Sequence, residues 1–189
     1  YVCSVWLDAL NNYLTGVGYP DAPDFAAYWG SCEHLVAKDI LKPHAIFWPT
    51  MLMAGGLPLY RRLCVHGHWK MQQDKMSKSL GNVVRPLEMK ARYGMDAFRY
   101  YLLREMASGH DADWSEPALV VRLNADLANG LGNLASRVLA MQQRYFEGVV
   151  QPLAPTAPDR ALRAAFAEAA TALERHVEQL AFHRALEAL

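Results

Sequence analysis

The rhythm of apolar and polar positions changes once along this chain. Before about Trp114, three short apolar runs, at residues 2–7, 34–37 and 63–66, read as strands set among helical patterns. Glycine and proline at GVGYPDAP and AGGLP mark the turns between them. One helix is predicted to begin near Pro43, because proline suits a first helical turn. It should run through HAIFWPTMLMAGG until the glycines end it, bent at Pro49, which has no N–H. Another is predicted from Asp96 into RYYLLREM. From Ser115 the signals are helical throughout: EPALVVRLNADLANGLGNLASRVLAMQQRYF, then the proline-rich linker QPLAPTAPD, then one further helix to Leu189. The pattern predicts an α/β region over residues 1–114 and an all-α region over 115–189.

Three strands make roughly half of an open nucleotide-binding sheet, which is built from two βαβαβ halves. Leu162, Phe166, Ala169, Leu173, Val177 and Leu180 form an apolar stripe at helical spacing that asks for partner helices. The chain stops at LEAL without a glycine cap, and it opens without an initiator methionine. It reads as an interior piece of a longer protein, whose remainder is needed to complete the fold.

Composition narrows this only a little. With 189 residues, 52% hydrophobic and 20% charged, the chain is globular and long enough for one full domain or two modest ones. It has no apolar run of about 18 residues and no signal-peptide pattern, so no membrane partner and a cytoplasmic location are expected. Cys3, Cys32 and Cys64 form no CxxC pair and are read as small buried hydrophobes, not as a disulfide framework or a zinc site. Nineteen basic residues balance nineteen acidic ones, so any nucleic-acid partner must be held by local patches.

The sharpest chemical signal is DKMSKSLGN, residues 74–82. Lys75 and Lys78 can share one side of a compact loop, while Ser77, Ser79 and Gly81 let backbone N–H groups approach a ligand closely. Polyphosphate is the natural ligand. If a reaction expels pyrophosphate from ATP, an ammonium pair placed at the leaving group stabilises the transition state more than the ground state. Losing one such donor costs about 3 kcal/mol. A bare Lys-x-x-Lys is usually a solvated turn; the whole string is far more specific. It resembles the second signature of the class I aminoacyl-tRNA synthetases.

The neighbouring strings VWLDALNNYLTGVGYP, HLVAKDI, HAIFWP, KMSKSLGNVV, YGMDAFRYYLLRE and NADLANGLGNLASR resemble, in order and spacing, those of the methionyl-tRNA synthetases from Val5 to Arg137. This likeness implies that residues 1–114 are the second half of a Rossmann-type catalytic domain, with its lysine loop and stem-contact region. Residues 115–189 would then be part of a helical anticodon-binding bundle. The implied activity is formation of methionyl-adenylate from methionine and ATP with Mg2+, followed by transfer to tRNA(Met). Zinc would belong only to an inserted domain outside this sequence. Lys75 and Lys78 would carry catalysis.

An unbranched thioether is best selected by aromatic walls and a weak polar probe. Trp6, Ala9, Leu10 and Tyr13 have the spacing of one face at a strand-to-helix turn, and Ile40, His44 and Trp48 recur every four residues along one side of a helix. By itself such a stripe is more often ordinary core; these seven positions match the family's methionine pocket. A carboxylate at Asp39 can accept ribose hydroxyls, as acidic residues do in nucleotide sites, or can cap the next helix. By resemblance, Asp39, His66, Gly67, Met76, Ser77 and Lys78 would bind ATP. His66 and His68 share a strand face as metal ligands can, but no third ligand is near in the sequence. Asn133 and Arg137 share a helix face and can meet unstacked bases. They match the pair that reads the CAU anticodon. Gly130 and Gly132 nearby suggest a kink or a close approach.

Three positions depart from the family pattern: Ala37 for a glycine, Gln73 for a glycine, and Arg85 for a helix-capping aspartate. Two other readings stay open on the residues alone. One is a leucine, isoleucine or valine synthetase; the other is a non-catalytic tRNA-binding remnant.

Overall fold

The computed structural model describes residues 6–71, 74–76, 83–150, 152 and 154–189. Ser77, Lys78 and Gln73 therefore lie outside the described residues, and of Lys75 only the backbone is described. The chain divides into two compact units, Tyr1–His68 and Trp69–Leu189. The expected change of texture at Trp114 and Ser115 falls within the second.

In the first unit, α1 (Trp6–Gly16) and α2 (Phe25–Gly30) precede β1 (Glu33–Ala37). A 3-10 turn (Lys38–Ile40), a wide π-type turn (Pro43–Phe47) and α3 (Trp48–Ala54) then lead to β2 (Arg62–His66). The strands β1 and β2 pair in parallel, Glu33 opposite Arg62 through Ala37 opposite His66, with the helical segment as their crossover. Two of the three predicted strands stand here. Of the predicted run at residues 2–7, residues 2–5 lie outside the described residues, and Trp6 and Leu7 belong to α1. Their apolar side chains fit either element, and run length alone could not separate the two.

Glycine is required between α1 and α2. Gly18 has φ of 79°, and a Cβ there would lie 2.5 Å from the Ala22 Cβ. Behind it Leu10, Leu14, Trp29, Trp48 and Leu52 form the core, ringed by Phe25, Cys32, Met51, Leu57 and Tyr60. Trp29 stacks on Phe25 and meets Trp48 edge-on, and its Nε1 donates to the Pro58 carbonyl at 2.7 Å. Cys32 and Cys64 are free and half-buried rather than fully buried.

In the second unit β3 (Trp69–Met71) pairs antiparallel with β4 (Asp74–Lys75) and in parallel with β5 (Ala112–Asp113). The apolar pattern did not predict this small sheet, because its strands of two and three residues are too short to show alternation. Helices α4 (Pro86–Tyr93), α5 (Met95–Glu105) and α6 (Glu116–Arg122) pack Met89, Phe98, Tyr101 and Leu119 into a second core beside Trp69 and Trp114. Arg85 stands at the N-cap of α4 and makes no side-chain cap, pairing instead with Glu88.

After α6 a π-helical stretch (Leu123–Gly132) runs into α7 (Asn133–Phe146). The linker follows, then α8 (Ala157–Glu178) and α9 (Phe182–Glu187). The expected single helix to Leu189 is thus two. Leu180 takes a positive φ of 55°, its carbonyl accepts from Ser108 Oγ at 2.6 Å, and α9 folds back along α5. No side-chain periodicity announces that reversal, which rests on tertiary contacts. Of the apolar stripe, Leu162, Phe166 and Val177 remain exposed. No helix among the described residues is long and apolar enough to cross a membrane.

Candidate active site

The first unit gathers six rings from separate elements: Trp6 and Tyr13 from α1, His34 from β1, His44 from the π turn, Trp48 from α3 and Tyr60 from the segment before β2. Alternation along β1 turns His34 and Val36 inward while Glu33 and Leu35 face out. Tyr13 lies 4.5 Å from His34, 5.7 Å from His44 and 6.1 Å from Trp48 between ring centroids. Trp6 meets His44 edge-on at 6.0 Å. His44 and Trp48 are buried, whereas Trp6 and Tyr13 are 39% and 38% exposed and form the open side. Ala9 is exposed beside them, and Ile40 is half-buried. Leu10, at 1% exposure, packs into the core beside Trp48.

Hydrogen bonds set the state of both histidines. His44 Nδ1 lies 2.9 Å from the Ile40 carbonyl, which can only accept, so Nδ1 carries the proton. Nε2 lies 2.9 Å from Tyr13 Oη, whose hydroxyl can donate to it. Burial, with a smaller contribution from Cys32, pushes the Tyr13 hydroxyl pKa up, which keeps it a donor. Trp48 Nε1 donates to His34 Nε2 at 3.1 Å, so His34 is neutral at that nitrogen. Burial first, and His44 second, hold the His34 pKa below its ordinary value. The cage offers aromatic surface and a weakly polar edge. That suits a polarisable thioether.

Asp39 sits in the 3-10 turn just beyond β1, and His68 Nε2 lies 3.7 Å from its carboxylate. Ala37, not Asp39, occupies the cap position of that turn. His66 donates from Nδ1 to the Gly67 carbonyl at 2.8 Å. Gly67 is buried, so the two histidines of H-G-H stand at the end of β2 in different settings: His66 exposed, His68 half-buried near Asp39. No three His, Cys, Asp or Glu side chains among the described residues come together as a metal site. In the second unit Lys75 lies in β4, its backbone opposite Lys70, and Met76 is half-buried just after it.

Asn133 and Arg137 are exposed one turn apart at the start of α7. The glycines ahead of them act as foreseen. Gly130 leaves helical geometry at φ −82° and ψ −105°, and a Cβ on Gly132 would lie 2.7 Å from the Leu127 carbonyl oxygen.

Residues 1–139 match the family model described as tRNA synthetases class I (M). The chain belongs to the class I tRNA synthetases of the methionyl type. It is 45% identical to the methionine–tRNA ligase of Brucella suis biovar 1 over 100% of this chain and 37% of that protein. With the methionine–tRNA ligase of Fusobacterium nucleatum it shares 42% identity over 100% of this chain and 30% of the relative. The chain therefore spans about a third of the length of the curated relatives it matches. The Mycobacterium tuberculosis methionyl-tRNA synthetase bound by methionyl-adenylate superposes with a TM-score of 0.87 at 44% identity, covering 97% of this chain and 36% of that one. Its apo form gives 0.84 at 40% identity, covering 99% and 36%. The mixed helix-and-strand architecture is thus that of a class I synthetase.

Sequence reasoning missed two members of the synthetase cage. Strand alternation could have flagged His34, since it shares an inward face with Val36. Nothing in the sequence marks Tyr60, which no periodicity links to His44.

Proposed function

We propose that this chain is part of an enzyme that activates methionine with ATP to methionyl-adenylate and transfers it to tRNA(Met). The observation that carries this reading is the Tyr13–His44–Ile40 hydrogen-bond relay set in an aromatic cage. Residues 1–114 then act as the second half of a Rossmann-type catalytic domain. Residues 115–189 act as part of the helical anticodon-binding bundle, with Asn133 and Arg137 offered to anticodon bases. The remainder of the parent protein completes the fold, and the chain by itself is inactive. A cytoplasmic location fits this work.

In the reaction the methionine carboxylate attacks the α-phosphate of ATP and pyrophosphate leaves. The cage of Trp6, Tyr13, His44 and Trp48, with Ala9 and Ile40, holds the amino-acid side chain while Leu10 backs it. Asp39 accepts from the ribose, and His66, Gly67, Met76 and Ser77 line the nucleotide. Lys75 and Lys78 stabilise the departing pyrophosphate. Magnesium arrives on the phosphates, because its preferred partners are phosphate and water oxygens together with few protein carboxylates. Positioning and electrostatics supply most of the rate enhancement.

Amino-acid-dependent ATP–pyrophosphate exchange by the full-length protein tests this. Exchange should be specific for methionine and fall about a hundredfold or more in Lys78→Ala. Exchange driven by leucine, isoleucine or valine would place the chain's chemistry in another synthetase, and tRNA binding without any exchange would make it a binding remnant.

A further inference from the structure

We propose that Tyr60 is a positioning residue for the amino-acid pocket: its hydroxyl holds open the wide helical turn that aims His44. The proposal rests on the functional reading above and adds a residue to it.

Two prolines shape the turn that carries His44. Pro43 opens the π turn Pro43–Phe47, and the Trp48 N–H bonds back to the Pro43 carbonyl, five residues away. The His44 carbonyl would ordinarily receive the N–H of the residue four or five positions on. The first, Trp48, is committed to Pro43; the second, Pro49, has no N–H. The helix backbone therefore leaves the carbonyl of a buried residue without its donor, an omission that costs about 1–3 kcal/mol when nothing replaces it. Tyr60 replaces it, donating from Oη to the His44 carbonyl at 2.8 Å.

Geometry explains why the turn matters. If it closed to α spacing, the Trp48 N–H would move to the His44 carbonyl. Trp48 would then rotate around the helix axis relative to His44, because each residue of the tighter turn subtends a larger angle. Tyr13 touches both rings and could not follow. Wide turns of this kind recur at functional sites for this reason. Tyr60 also meets His34 edge-on at 4.6 Å, and His34 accepts from Trp48. One tyrosine from outside the helix thus braces the backbone of one pocket histidine and the ring of the other. Burial pushes its hydroxyl pKa up, so it remains a donor.

The test uses the full-length protein carrying Tyr60→Phe, which keeps the ring on His34 and removes only the donor. In ATP–pyrophosphate exchange the methionine KM should rise about tenfold, with kcat and the ATP KM within about twofold. In a His44→Ala background the same change should add nothing to the methionine KM. Hydrogen exchange of peptides spanning residues 43–54 should quicken in Tyr60→Phe. An unchanged methionine KM overturns the proposal, as does a rise of equal size in the His44→Ala background. If the unmutated protein shows no methionine-dependent exchange, the functional reading fails instead. Amide exchange then decides the role of Tyr60 by itself, and unaltered protection of residues 43–54 overturns it.

Discussion

Replacing Trp48 with phenylalanine tests how the cage keeps His34 neutral. Trp48 is wholly buried, touches Trp29 and Tyr13, and donates to His34, itself only 4% exposed. Phenylalanine keeps one ring but loses the N–H, leaving a buried acceptor unpaired at about 1–3 kcal/mol. The smaller ring forfeits about 1 kcal/mol more in packing, giving a total of about 2–4 kcal/mol. The loss should depend on pH, with a sign that follows from linkage. The folded-state pKa of His34 is depressed, so its neutral form contributes stability that is fully present above the unfolded value of about 6.5 and is lost as pH falls through the folded one. Removing the Trp48 donor removes one reason to stay neutral and lets that pKa rise. Trp48→Phe should therefore be most damaging near pH 8 and least damaging near pH 5.5. Urea unfolding of the full-length protein, followed by circular dichroism at both values, measures the difference. A loss under about 1 kcal/mol, or one identical at the two pH values, would refute the argument.

Other expectations follow from the same geometry. In the unmutated full-length protein the methionine KM should climb only once pH falls through the depressed His34 pKa, below the ordinary histidine value, while the ATP KM holds steady, because protonated His34 cannot accept from Trp48; steady-state exchange across pH checks it. Tyr13→Phe leaves His44 Nε2 without its donor and should raise the methionine KM about tenfold in the same assay, whereas a change under about twofold would mean the pair does not shape the pocket. Gly132→Ala drives a Cβ against the Leu127 carbonyl, a backbone atom that cannot step aside, and should cost about 1–3 kcal/mol, seen as a lowered thermal midpoint together with weaker tRNA binding.

Much of the site was legible in the chain itself. The lysine loop points to phosphate chemistry because its composition serves no core, though Ser77 and Lys78 lie outside the described residues. Ile40, His44 and Trp48 stand out because helical spacing repeats. The strands at residues 33–37 and 62–66, the helix after Pro43 and the kink near Gly130 were all readable, since each depends on local pattern or on a residue with special backbone freedom. Tertiary structure alone decided the rest. Leu10 carries the same spacing as its neighbours on α1, yet packs inward because Trp29 and Leu52 arrive from other elements to cover it. The reversal at Leu180 is held by Ser108, distant in sequence, and no local signal encodes such a partner. Tyr60 matters only because Pro49 withholds an N–H from His44, and the chain must fold before the two can meet. Local sequence determines which backbone a segment prefers and which chemistry it carries. Which side chains complete a site depends on contacts between distant segments, and those exist only once the core has closed.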